Sequence, residues 1–336
     1  MKAALVKHAK ARIEIVEQER PKPERGEVLI RVRACGVCHG DLMLQQGEFP
    51  FARYPIVPGH EVAGVIESVG EGVQELKPGT RVGLSALYSS CGHCPQCLHG
   101  DEFLCAGLEF TGVTRDGGYR EFTVAQAAYV AQLPDALDFA EAAPLMCAGL
   151  TVYSGLRHAD FESGKKIAVI GLGGLGHIAV LYARAMGGRV AVLSTSADKE
   201  RDAQKLGAEL FINTTKESAN EALCAWEGGA DLIVATAPSI ESVNASFAGL
   251  APDGTMLVLG VGPGNITINP MLLVMGRRRL MGSPAGSRQD LRDTLEFAAT
   301  HGIHPQVTRF PLEGAGDALA QMHASQVRGR AVLTMD

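Results

Sequence analysis

Along the first 150 residues, apolar positions come in short alternating runs, as over 27–34, and Gly and Pro punctuate them at Pro58-Gly59, Pro78-Gly79 and Gly117-Gly118. Period-two alternation bounded by turn residues predicts strands and loops, so this half reads as mostly β. From about Ala148 the pattern changes. Apolar runs at 166–170, 189–193, 231–235 and 255–259 alternate with helical stretches at 176–186 and 199–206, which predicts a parallel sheet wrapped by helices. After about Ser287 a helical stretch at 289–300 is followed by a short strand at 331–334, and this tail is expected to return to the first half. No internal repeat or Gly/Ser linker interrupts the chain.

The 336 residues exceed what one ordinary core holds, which points to two domains. With 46% hydrophobic and 20% charged residues, each can bury a core. The net charge of -6, and a densest basic run of only Arg277, Arg278 and Arg279, argue against nucleic acid as a partner. Residues 1–12 carry no signal-peptide core and no apolar run spans a bilayer, so the expectation is a cytoplasmic protein without a membrane partner.

Eight cysteines in such a chain are expected to be reduced, which favours metal binding over disulfides. Cys91, Cys94, Cys97 and Cys105 follow C-x2-C-x2-C-x7-C in a loop rich in Gly, His and Pro. That spacing brings four thiolates to one point and predicts a closed, structural zinc site; free or redox cysteines are the plainer alternative, and His93 and His99 are competing ligands in the same loop.

The apolar run at 166–170 leads directly into Gly171-Leu172-Gly173-Gly174-Leu175-Gly176 and a helix. Strand, glycine turn and helix in that order form the context in which a dinucleotide pyrophosphate rests on a helix N-terminus. An NAD-preferring domain usually carries an acidic residue at the end of the next strand. Here that strand ends in Ser194, Thr195 and Ser196, with Lys199 and Arg201 close by. No carboxylate repels a 2'-phosphate, so NADP(H) is the preferred cofactor and NAD(H) the second choice; a solvated basic helix face is the plainer reading of Lys199 and Arg201.

Cys38, His60 and Cys147 offer two thiolates and an imidazole, which would leave one position of a tetrahedral zinc open for water or substrate. Taken alone, a buried Cys such as Cys147 is more often a small core hydrophobe. Together, the stretches GVCHGDL, VPGHEVAGVIESVG, the four-cysteine loop, PLMCAGLTVY and GLGGLGHIAV resemble the zinc-containing medium-chain alcohol dehydrogenases, especially the bacterial and cinnamyl-alcohol types, over essentially the whole chain. The resemblance implies a GroES-like β-rich catalytic domain over 1–150, completed by 288–336, and a Rossmann domain with a doubly wound parallel sheet over 151–287. It implies two Zn2+ per chain, with Cys38, His60 and Cys147 on the catalytic ion, Glu61 just behind it and Asp41 orienting His60. It places His39 and Arg330 at the cofactor pyrophosphate and Val258 to Val261 at the nicotinamide. It also implies a homodimer or homotetramer acting on a small carbonyl or alcohol. Cys35 and Cys224 match no ligand position.

Two departures qualify the resemblance. Where the family has a Ser or Thr that takes the substrate proton stands Gly40, and where bacterial members often have a relaying His stands Met43. Ala86 stands where related bacterial sequences often carry Trp, which implies a larger pocket and a bulky or aromatic substrate, unless Phe49 or Leu108 refills it. The expected reaction is NADPH-linked reduction of an aldehyde, or its reverse. A reductase of iminium or conjugated C=C substrates is the alternative that the missing relay favours. A polyol dehydrogenase, which commonly uses a Glu ligand where Cys147 stands, and a non-catalytic NADP(H)-binding protein are the remaining readings.

Overall fold

The computed structural model describes residues 1–335. The chain divides into two compact units, one formed by Met1–Leu150 and the chain from Gly286 onward, the other by Thr151–Ala285.

The first unit is organised by a seven-stranded sheet, in the order Val307–Pro311, Arg330–Thr334, Glu27–Gly36, Val62–Val69, Arg81–Leu84, Val130–Gln132, with Phe122–Gln126 paired to Glu27–Gly36 off this path. Glu27–Gly36 is the hub because it pairs antiparallel with three strands. Its even positions Val28, Ile30, Val32 and Ala34 are buried while Glu27 and Arg31 reach outward, the alternation of a half-buried strand. Its last residues, Ala34 to Gly36, are all buried, and the tail strand pairs along their edge, with Val332 opposite Gly36 and Leu333 opposite Cys35. This strand pairing delivers Arg330 beside the segment that follows Gly36.

The second unit is a six-stranded, all-parallel sheet in the order Leu210–Asn213, Arg189–Ser194, Lys166–Ile170, Ala230–Ala235, Leu250–Val258, Arg279–Gly282. That is the strand order of a Rossmann sheet, with its first strand, Lys166–Ile170, third from one edge. Central strands of such sheets are covered on both faces, so they read as continuous apolar runs; Ile167 to Ile170 are all buried. Three boundaries differ from the sequence expectation. The first helix starts at Gly174 because Gly173 serves as its N-cap. The 199–206 stretch divides into a 3-10 turn, Ala197–Lys199, and a short helix, Glu200–Lys205. The fifth strand begins at Leu250, since Leu250 pairs with Ala230 before a register irregularity. Among the described residues, no helix is long and apolar enough to cross a membrane.

Candidate active site and metal centres

Cys38 follows the end of the hub strand and caps the helix His39–Gln46. His60 and Glu61 directly precede Val62–Val69, the neighbouring strand, and Cys147 stands between the 3-10 turn Ala143–Met146 and the helix Ala148–His158. Three separate chain segments therefore meet, and the ligand atoms of Cys38, His60, Glu61 and Cys147 all lie within 4.8 Å of one another. Cys38 Sγ and Cys147 Sγ are 3.8 Å apart. Two sulfurs on one tetrahedral zinc, with Zn–S of about 2.3 Å, are separated by about 3.8 Å. The donor set and its spacing fit zinc.

Behind the cluster, Arg330 Nη2 donates to Glu61 Oε1 and, at 3.3 Å, to the Val37 carbonyl. Both side chains are buried, and Glu61 Oε2 has no hydrogen-bond partner although it is inaccessible to water. A buried carboxylate oxygen without a donor is costly unless a cation satisfies it, which is a second indication that a metal belongs here.

Asp41 holds the cluster together from the other side. Its carboxylate accepts the N–H of Cys38 (3.0 Å), the N–H of Gly59 (3.0 Å) and the hydroxyl of Tyr119 (2.9 Å), and its Oδ1 lies 3.4 Å from His60 Nδ1. Asp41, expected to orient His60, lies beside its ring, and no sequence motif marks Tyr119. A carboxylate on Nδ1 favours the tautomer that frees Nε2 for a metal.

The protonation of each of these groups is set by its neighbours in the cluster. The hydrogen bond with Cys147 brings the Cys38 thiol well down against the effect of burial, helped by His60. The same shared proton, with burial, pushes Cys147 well up. Burial lowers His60, but Asp41 and the Cys38 thiolate outweigh it and the net shift is upward. Burial also drives the Glu61 carboxyl upward, opposed by Arg330. A divalent cation would displace these protons, because its ligands bind deprotonated.

The second cluster, Cys91, Cys94, Cys97 and Cys105, also has its sulfurs within 4.8 Å of one another. Backbone N–H groups aim at them: Cys94 N at Cys91 Sγ (3.4 Å), Cys97 N at Cys94 Sγ (3.5 Å), Cys91 N and Gly107 N at Cys105 Sγ (3.5 and 3.3 Å). N–H donors favour thiolate over thiol, the form that binds zinc. His93 turns its Nδ1 to the Cys91 carbonyl at 2.8 Å, and neither it nor His99 belongs to the cluster. The four sulfurs close a tetrahedron without an open position, so this candidate zinc site is structural.

In the second unit, Gly171 has φ +89°, a conformation open to glycine, and Gly176 packs so closely on the Gly171 backbone that no side chain fits. Gly173 caps the helix Gly174–Ala185, which carries Leu175 and Gly176 in its first turn. Ser194 is buried at the end of its strand, with its Oγ 3.2 Å from the Ser196 N–H; Thr195 is exposed and Lys199 half-buried. No carboxylate stands at that strand end. Val261 is exposed in the loop after Leu250–Val258, and His39 is exposed at the first turn of its helix. Arg330, assigned to the pyrophosphate by resemblance, is placed against Glu61.

Gly40 lies on the His60 ring: a Cβ there would be 3.1 Å from Cε1. Met43 is half-buried on the same helix. Ala86 is partly exposed and its carbonyl accepts the Thr111 N–H, next to Phe110, whose ring meets Phe51 at 5.3 Å and Phe103 at 5.8 Å. Phe49 joins this aromatic group through Phe51 at 5.6 Å. Cys35 is buried and Cys224 exposed, both outside the clusters.

Residues 24–135 match the alcohol dehydrogenase GroES-like domain family and residues 174–300 the zinc-binding dehydrogenase family. The chain is 41% identical over 337 residues to an alcohol dehydrogenase of Geobacillus stearothermophilus, covering all of both chains. Among solved structures it is similar to a cinnamyl alcohol dehydrogenase from Sorghum bicolor (TM-score 0.89, 32% identity, 99% of this chain and 97% of that one). It is also similar to CAD from Helicobacter pylori complexed with NADP(H) (TM-score 0.87, 27% identity, 100% and 99%). The chain belongs to the zinc-containing medium-chain alcohol dehydrogenase family. It is a zinc-dependent, NAD(P)-linked alcohol dehydrogenase or aldehyde reductase.

Proposed function

We propose that the protein uses NADPH to reduce a bulky or aromatic aldehyde, with Cys38, His60 and Cys147 holding the catalytic zinc and the four-cysteine cluster a structural one. The observation that carries the metal assignment is the convergence of Cys38, His60, Glu61 and Cys147 around a buried, unpartnered carboxylate oxygen. When bound, zinc supplies a Lewis acid that polarises the substrate oxygen, and the nicotinamide supplies the hydride. Asp41 keeps His60 Nε2 available, while Arg330 draws Glu61 Oε1 away from the ligand cluster. The glycine turn Gly171, Gly173, Gly174, Leu175 and Gly176 presents helix N–H groups to the pyrophosphate, and Val261 of the same unit serves the nicotinamide.

The preference for NADP(H) rests on Ser194, Thr195 and Ser196 ending the second strand without a carboxylate, with Lys199 nearby to pair a 2'-phosphate. The preference for bulky substrates rests on the small, partly exposed Ala86 beside the Phe110 aromatic group. The strand Arg279–Gly282 has a free edge among the described residues, and the exposed Met271, Val274, Met275 and Leu280 lie on or just before it, which supports a dimer formed through this edge.

A second reading, reduction of an iminium or a conjugated C=C bond, is favoured by Gly40 and Met43, which offer no proton-carrying group. Initial rates of NADPH and NADH oxidation on aromatic and aliphatic aldehydes, a cyclic iminium and an enal separate the two. Aldehyde turnover faster with NADPH supports the first reading. Silence on aldehydes with turnover of the iminium, or of the enal's C=C bond, replaces it with the second.

A further inference from the structure

The Asp41 carboxylate offers about four acceptor positions. Four donors surround it, and three belong to the metal-binding segments themselves: the Cys38 N–H, the Gly59 N–H and His60 Nδ1. The fourth is the Tyr119 hydroxyl, 2.9 Å from Oδ2 and 78 residues away in sequence. Tyr119 is fully buried and anchored along its length. Its N–H donates to the Pro58 carbonyl at 3.0 Å, its carbonyl accepts the Ala4 N–H at 2.8 Å, and its ring lies over Gly59, where any Cβ would collide with it. The preceding residues extend the grip, Gly117 N–H donating to Val57 and Gly118 N–H to Gly59. The hydroxyl is thus delivered to Asp41 by a rigid frame built on the His60 loop.

A carboxylate turns easily about its last torsion, which has broad preferences. With Oδ2 held by Cys38 and Tyr119, Oδ1 is left to face Gly59 and His60. We propose that Tyr119 is a positioning residue for the metal site: by donating to Asp41 Oδ2 it keeps Oδ1 on His60 Nδ1, and so keeps His60 Nε2 turned to the cluster. Tyr119 itself touches no metal ligand atom; it acts through Asp41. This inference rests on the reading of the Cys38–His60–Cys147 cluster as a metal site.

The test is titration of metal-free protein with Co2+, followed by its visible ligand-field bands, and competition with Zn2+. Loss of a direct partner of a metal-binding His costs about 10- to 100-fold in affinity, so Asp41→Ala falls in that range and Tyr119→Phe, one step removed, at about 3- to 10-fold. Tyr119→Phe also shifts the Co2+ bands of this site and leaves uptake by the four-cysteine site unchanged. Added to Asp41→Ala, Tyr119→Phe has no further effect, because its route is gone. Wild-type affinity in Tyr119→Phe, or effects that multiply in the double variant, would overturn the inference. Should Tyr119→Phe not fold, 3-fluorotyrosine at position 119 keeps the ring and hydroxyl but changes donor strength; shifted Co2+ bands support the inference and unchanged bands contradict it. A wild-type protein that takes up only one Co2+ would remove the metal reading and this inference with it, whereas two Co2+ with an indifferent Tyr119→Phe would remove the inference alone.

Discussion

Arg330 and Glu61 form an ion pair in the interior of the first unit, with side-chain exposures of 8% and 0%. Desolvation of two charges is largely offset by their mutual attraction, but removal of one partner leaves the other stranded, at about 3–5 kcal/mol. Arg330→Met is expected to destabilise the first unit by that amount, read from denaturant unfolding with zinc saturating. Glu61→Leu with Arg330→Met is expected to recover most of the loss, because an apolar pair strands no charge. A double variant as unstable as the single one would show that the ion pair is not the cause.

The four-cysteine cluster should take up zinc with release of protons. Backbone N–H groups of His93 and Cys94 bring the Cys91 thiol down to about 6, and Ser90 helps lower Cys97. The Cys97 N–H pulls Cys94 down, yet burial and the proton shared with Cys97 and Cys91 leave it at about 11. Between these values Cys91 is a thiolate while Cys94 keeps a proton that zinc must expel. Apparent zinc affinity therefore rises with pH from 6 to 11 and falls as pH drops through 6, where Cys91 also protonates. Zinc competition at several pH values in a Cys38→Ser background isolates this site; a flat profile would contradict the assignment.

These two clusters were differently legible in the sequence. The four cysteines span fifteen positions and the glycine turn six, so local spacing exposed both. The contacts around the other cluster are long-range: Arg330 and Glu61 are 269 positions apart, and Tyr119 and Asp41 78. No period or motif encodes such pairs. They follow from the register of the tail strand on Glu27–Gly36 and from the packing of Gly117 to Tyr119 on Pro58-Gly59, which only the folded chain reveals. The resemblance assigns Arg330 to the pyrophosphate and says nothing of its pairing with Glu61, which the folded chain reveals.

Gly40 allows a direct test of the missing proton route. A serine there would press its Cβ against the His60 ring, and Met43 would still offer no exit for the proton. Gly40→Ser alone is expected to give no gain in alcohol oxidation. Gly40→Ser with Met43→His, which restores both links, is expected to raise kcat at least about tenfold, toward the 10²–10⁴ of general acid-base help. A gain from the single substitution would show that solvent already serves as the second link.

Lys199 is expected to set coenzyme choice. A charge-assisted contact with a 2'-phosphate contributes about 1.5–3 kcal/mol, so Lys199→Ala should lower kcat/KM for NADPH by about 10- to 100-fold. The value for NADH should stay within about threefold, since no phosphate is lost there. Equal losses with both coenzymes would assign Lys199 a structural role.

The central claim is that two zinc ions serve two separate tasks, and zinc content measured together with NADPH-dependent aldehyde reduction tests it most directly. Wild-type protein is predicted to hold two zinc ions per chain and to turn over, and Cys38→Ser to hold one, remain folded and lose turnover. Retention of two ions by Cys38→Ser, or turnover by zinc-free wild-type protein, would contradict the account.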